Sequence, residues 1–267
     1  MEAQHTPSSI DTQVQAILSQ ILSGAQAVLG KAFVGMYLTG SLATGSFKPG
    51  RSDIDFVVVT DGELDPDQID ALAAMHGRLA SGGSEWALKL DGSYIPQQAL
   101  RRYDPAHTRH PTIGVGGEFA IGQHGPDWIV QRYILREQGV ALAGPPLRRL
   151  IDPVGSDDLR IGVQGTLEEW WAPQLDDPHR LQSREYQAYA VLTMCRGLYT
   201  LHHGLIASKP VAARWAQQVL GEPWTGLIER ALAWPDGWQP HEFENTLSLI
   251  RETIERARKI EAPNTDF

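Results

Sequence analysis

Ser52-Asp53-Ile54-Asp55 stands directly ahead of the run Phe56-Val57-Val58-Val59, so two carboxylates open an apolar, β-branched segment. In an extended strand residues two apart share a face, which points Asp53 and Asp55 one way and Ile54 the other. Two unit charges about 4 Å apart repel by roughly 4 kcal/mol at an effective dielectric of about 20. Such a pair persists only if it is solvated, protonated or bridged by a cation. A hard cation that takes oxygen ligands and retains water, magnesium above all, suits it best. For an isolated Asp-x-Asp, a solvated strand end is the plain alternative.

The residues before the pair supply a setting for that chemistry. "VGMYLTG" reads as a strand ending in Gly40, "SLATGSF" as a short turn of helix, and "KPGR" as the turn into the carboxylate strand. Gly40 lets backbone approach a ligand, and Ser41 adds a hydroxyl and an N–H near a helix start, where phosphate is favoured. "EWALKLDGSYI" reads as a further strand. The second half is helical: "EYQAYAVLTMCRGLYTLHHG" places Ala188, Leu192, Cys195 and Tyr199 on one stripe and stops at Gly204, and "HEFENTLSLIRETIERARK" repeats the habit. The Pro, Gly, Ser and Asp of "IDPVGSDDL" mark the boundary. The expected fold class is α+β. A mixed β-sheet flanked by helices occupies residues 1–155, and an α-helical bundle occupies residues 156–267.

Composition excludes several classes. The chain has 267 residues, 42% of them hydrophobic, without a run long enough to span a bilayer. The start has neither a secretory nor a mitochondrial targeting pattern, and the single cysteine, Cys195, allows no internal disulfide; both point to a cytoplasmic location. A net charge of −9 disfavours nucleic acid and is compatible with a cationic partner. There is no P-loop, no Gly-x-Ser-x-Gly elbow and no His-Glu-x-x-His, and the nine histidines form no metal set.

Gly40-Ser41, Gly45 and then Ser52-Asp53-Ile54-Asp55 resemble the signature of the nucleotidyltransferase superfamily. "WIVQRYILREQGVALAGPP" and "AVLTMCRGLYTLHHGLIASKPVAARWA" are similar to the streptomycin and spectinomycin 3''-adenylyltransferase family. The resemblance implies a nucleotidyltransferase domain followed by a helical domain that completes the ATP and acceptor sites. It also implies Mg2+-dependent transfer of AMP from ATP to an antibiotic hydroxyl, with release of pyrophosphate. Asp53 and Asp55 would hold the metal, with a third acid on a following strand. Asp91 in "KLDGS" is the first choice for that metal ligand and base, although the family residue is a glutamate; Glu85, on the same face by parity if the whole segment is strand, is the second. Gly40, Ser41, Ser52, Arg196, Lys209 and Trp234 would bind ATP.

The residues themselves support part of this carry-over. Arg196 lies four residues after Leu192 and three before Tyr199, beside the buried stripe, where it wants an anion. Lys209 precedes Pro210 at a helix start, a poor place for a cation without an anionic ligand. Either residue has an ordinary alternative, a local acid such as Glu185 or plain solvation. Trp170, Trp171, Glu168 and Glu169 lie near the family's acceptor residues, with Asp176 and Asp177 as further acids. Aromatics in helices are more often core, and acids more often a solvated face. The expected partners are ATP and a cationic small-molecule acceptor, with no nucleic acid or membrane, and the expected state is a monomer. Two other readings stand beside this one: a nucleotidyltransferase acting on a protein or another metabolite, and a catalytically silent nucleotide-binding protein.

Overall fold

The computed structural model describes residues 12–45, 47–48, 52–236 and 242–260. The start of the chain and Pro49–Arg51 of the expected turn lie outside the described residues. Two compact units emerge, residues 1–124 with 131–153, and residues 125–130 with 154–267. The sequence boundary did not foresee that segment 125–130, which carries the first turn of a helix, packs with the later unit.

The first unit runs α1 (Thr12–Leu29), β1 (Phe33–Leu38), α2 (Gly40–Ala43), β2 (Ile54–Thr60), α3 (Pro66–Ser81), β3 (Leu90–Pro96), α4 (Gln97–Arg101), β4 (Arg109–Ile113), β5 (Phe119–Gln123), α5 (Asp127–Gln138), β6 (Val140–Ala143) and α6 (Leu147–Leu150). The six strands form one mixed sheet in the order β5-β4-β3-β2-β1-β6. Only β2 and β3 are parallel; the other neighbours are antiparallel. Alternation decides the faces. Met36, Leu38, Ile54, Phe56 and Val58 are buried against Val14, Ile17, Leu18 and Ile21 of α1 and Leu72 and Met75 of α3. The apolar spacing of α1 is the helical one, and α3 begins where Pro66 follows the capping box of Asp65 and Gln68. Asp53 and Asp55, offset by one residue from this core set, are thereby turned to the opposite face.

The second unit contains α7 (Ser156–Thr166), a wide π turn over Leu167–Trp171, α8 (Arg184–His203), α9 (Lys209–Leu220), α10 (Trp224–Ala233) and α11 (Glu242–Lys259). The Ser183 side chain caps the start of α8, and Gly204, at φ 64°, ends it in the left-handed conformation that favours glycine. Around α8 pack Ala212, Ala213 and Ala216 of α9, Leu227 and Ile228 of α10, and Leu249, Ile250 and Ile254 of α11. Cys195 lies fully inside this core, and burial pushes its thiol up to about 12, so it is no nucleophile. No described helix is long and apolar enough to cross a membrane.

Candidate active site

β1 ends and α2 begins at Thr39-Gly40, and the Thr39 amide donates to the Asp55 carbonyl at 3.1 Å. Gly40 has φ +59°, and a Cβ there would stand 2.1 Å from Asp55 Oδ2. The sequence assigned Gly40 to a close ligand; the structure adds that a glycine here also makes room for the Asp55 carboxylate. The neighbouring Ser41 Oγ is buried with no hydrogen-bond partner. A buried hydroxyl without a partner costs free energy, which a ligand oxygen would recover.

Asp55 pairs in parallel register with Asp91 on β3, so the two carboxylates stand side by side on one sheet face. Asp91 keeps contact with water. The protein packed around it and, second, the Asp53 charge hold its carboxyl above the usual range. The next residue, Gly92, faces the core, where a Cβ would meet the Phe56 ring at 2.2 Å. That close packing seats β3 against β2 and fixes where Asp91 emerges.

Glu85 is a correction. It opens a 3-10 turn over Glu85–Leu88, is exposed, and does not belong to β3. The cause is Trp86-Ala87, two successive residues that both bury in the same core cluster. A strand would send them to opposite faces, and only a helical turn sends both inward.

Ser52 is likewise already engaged. Its Oγ accepts from the Lys48 amide at 3.0 Å and its own amide donates to the Lys48 carbonyl at 2.9 Å, which fixes it ahead of Asp53 and leaves the hydroxyl proton to donate elsewhere.

Among the described residues no three His, Cys, Asp or Glu side chains gather closely enough to hold a metal alone. Asp91 therefore does not complete a ready-made three-carboxylate cage. The donor set still fits magnesium, which binds through one or two carboxylates together with substrate phosphates and water. Asp53 and Asp55 would supply the two carboxylates, and Ser41 follows the glycine that makes room for Asp55.

In the helical unit, Arg196 rises from the middle of α8. Burial presses its guanidinium below its ordinary value, with Tyr189 opposing. It has no ion-pair partner among the described residues, Glu185 included. Lys209 opens α9 beside Pro210, and its ammonium lies 5.7 Å over the ring of Tyr189. Tyr189, one α8 turn from Thr193 and two from Arg196, is thus the neighbour shared by both cations. Sequence reasoning missed it because an isolated tyrosine on a helix carries no signal of its own.

The chain is similar to known proteins along most of its length. Residues 27–89 match the family model described as a nucleotidyltransferase domain. Residues 149–259 match that of the aminoglycoside adenylyltransferase C-terminal domain. Both matched segments are thus similar to the two domains of an aminoglycoside adenylyltransferase. The chain is a nucleotidyltransferase of the adenylyltransferase kind. An aminoglycoside (3'') (9) adenylyltransferase of Shigella flexneri is 26% identical over 232 residues, covering 84% of this chain and 86% of the relative. A spectinomycin 9-adenylyltransferase of Staphylococcus aureus is 24% identical over 244 residues, covering 88% and 90%. The fold is shared with the crystal structure of spectinomycin adenyltransferase AAD(9) from Enterococcus faecialis with ATP and spectinomycin, at TM-score 0.71 and 18% identity, covering 92% of this chain and 99% of that one.

Against this family background the expected acceptor residues separate. Trp171 is 1% exposed and belongs to the helical core, so it presents no surface to an acceptor. Trp170 is 46% exposed, donates from Nε1 to the Tyr186 hydroxyl at 3.2 Å, and has the Arg180 guanidinium 5.1 Å over its ring. Both carboxylate oxygens of Glu168 accept from Arg258, at 2.7 and 2.8 Å, which holds that carboxyl below its usual range. Glu168 is an anchor between the π turn and α11, not an open acid. Glu169, Asp176 and Asp177 are exposed, with Asp177 paired to His179 at 3.4 Å. Trp234 ends α10 half-buried against the helical core.

Proposed function

We propose that the protein transfers AMP from Mg·ATP to a hydroxyl of an aminoglycoside-type antibiotic, streptomycin or spectinomycin, and releases pyrophosphate. The observation that carries this reading is the register that sets Asp55 beside Asp91 on one sheet face, two residues after Asp53 and with the Thr39-Gly40 turn bonded across from it. The named relatives support the choice of acceptor class.

Magnesium held by Asp53 and Asp55 would neutralise charge on the triphosphate as the bond to α-phosphorus changes hands. Ser41 donates to a phosphate oxygen. Arg196 and Lys209 are the helical unit's cations for the triphosphate tail, and Trp234 is the aromatic for the adenine. The acceptor oxygen bonds to α-phosphorus as the bridge to β-phosphorus breaks, pyrophosphate leaves, and Asp91 takes the hydroxyl proton. Asp91 suits that role because its raised affinity for a proton makes it a better base than a free aspartate.

The test is pyrophosphate release from Mg·ATP with streptomycin and with spectinomycin, using Asp53→Asn as control. Release that requires a drug and disappears in the variant is expected. A second reading keeps the enzyme and changes the acceptor, to a protein or another metabolite. It is favoured by the loss of Trp171 to the core and of Glu168 to Arg258, which leaves fewer groups to grip a polycationic drug. Magnesium-dependent ATP binding with no release for either drug would select it.

A further inference from the structure

We infer that Thr39 is a further nucleotide-binding residue, its hydroxyl donating to an anionic oxygen of the Mg·triphosphate beside Asp55. The argument starts from register. Leu38 of β1 pairs with Phe56 of β2, so Thr39, the next residue, falls opposite Asp55, and its amide is bonded to the Asp55 carbonyl. Cross-strand neighbours share a face. Asp55 is therefore flanked in one row by Thr39, the residue after β1, and by Asp91 of β3.

Thr39 is also the residue before α2, where a threonine normally uses its oxygen to cap the first turn. Here its backbone is extended, at φ −133°, and the side chain makes no capping bond. Its Oγ1 is buried and has no partner among the described residues. α2 is four residues long and contributes no dipole of weight, so the case rests on the side chain and the register alone. Two uncommitted hydroxyls, on Thr39 and Ser41, thus bracket the glycine that makes room for Asp55. Each can donate a proton, which the carboxylates cannot. A triphosphate brought to this face with its cation carries anionic oxygens in excess of what the metal can bind, and these are the natural acceptors.

The inference rests on the proposed use of Mg·ATP, and the experiment separates the two. Binding of Mg·ATP without acceptor is measured by calorimetry for the wild type, Thr39→Val and Thr39→Ser, with thermal unfolding of each in parallel. Valine keeps the shape and removes the hydroxyl; serine keeps the hydroxyl. Loss of one hydrogen bond to a charged group should weaken binding by about tenfold or more in Thr39→Val. Thr39→Ser should stay within about threefold of wild type, and the melting temperature of the unliganded Thr39→Val protein should not fall, because the hydroxyl bonds to nothing in the fold. Wild-type affinity in Thr39→Val overturns the assignment and leaves the proposed function standing. Equal weakening in both variants, or a lower melting temperature in Thr39→Val, overturns it in favour of a structural role. Absence of Mg·ATP binding by the wild type overturns both.

Discussion

Asp55 fills the space that a side chain on Gly40 would need: a β-carbon on residue 40 would lie 2.1 Å from one carboxylate oxygen and 2.7 Å from the carboxyl carbon. The left-handed backbone at φ +59° adds roughly 1–2 kcal/mol for any residue with a side chain. Gly40→Ala should therefore displace Asp55 and lose magnesium-dependent ATP binding, while the fold survives with a lowered melting temperature. Calorimetric titration with Mg·ATP beside a thermal melt checks this; unchanged affinity would show that Asp55 does not hold the metal.

Asp91 makes the stability of the metal-free protein depend on pH. Its folded-state pKa lies above the unfolded value, so the folded chain holds this proton more tightly. The resulting contribution is present in full below the ordinary aspartate pKa and is lost as pH rises through the raised one. Asp91→Asn removes that loss. In a chelator, the variant should melt higher than wild type at neutral pH and show no such advantage near pH 3. Parallel melting curves across pH decide the matter, and an advantage that is flat with pH would contradict the cause given.

Arg196 bears a charge that burial disfavours and no described carboxylate offsets. Replacing such a charge by an apolar side chain of similar length costs the free fold little. Arg196→Met is expected to melt at or above the wild-type temperature without ligand, and to raise the KM for ATP by about tenfold or more. A melting temperature several degrees lower would mean that Arg196 serves the fold instead.

Glu168 and Arg258 form a two-pronged ion pair on a partly exposed surface, with side chains 45% and 60% accessible. Pairs of this kind contribute about 0–1 kcal/mol. Glu168→Gln should lower stability by no more than that and leave the KM for the acceptor within about twofold. A large rise in acceptor KM would return Glu168 to the acceptor site.

The sequence alone determined the carboxylate pair and its face, the turn of chain through Gly40-Ser41, the helix that carries Arg196 and the helix start at Lys209. All of these follow from periods of two and 3.6 residues and from local end signals, which need no knowledge of distant partners. Between Glu85 and Asp91 it could not decide, because the fate of that segment depends on Trp86 and Ala87 both finding one core. Nor could it separate Trp170 from Trp171, adjacent residues of which one is 46% and the other 1% exposed, since only the packing of α8 and α11 says which faces inward. Tyr189 and Thr39 were invisible for the same reason. One matters through two cations brought to its ring and the other through the strand laid beside it. Contacts between residues far apart in the chain are set by tertiary packing, and no local pattern encodes them.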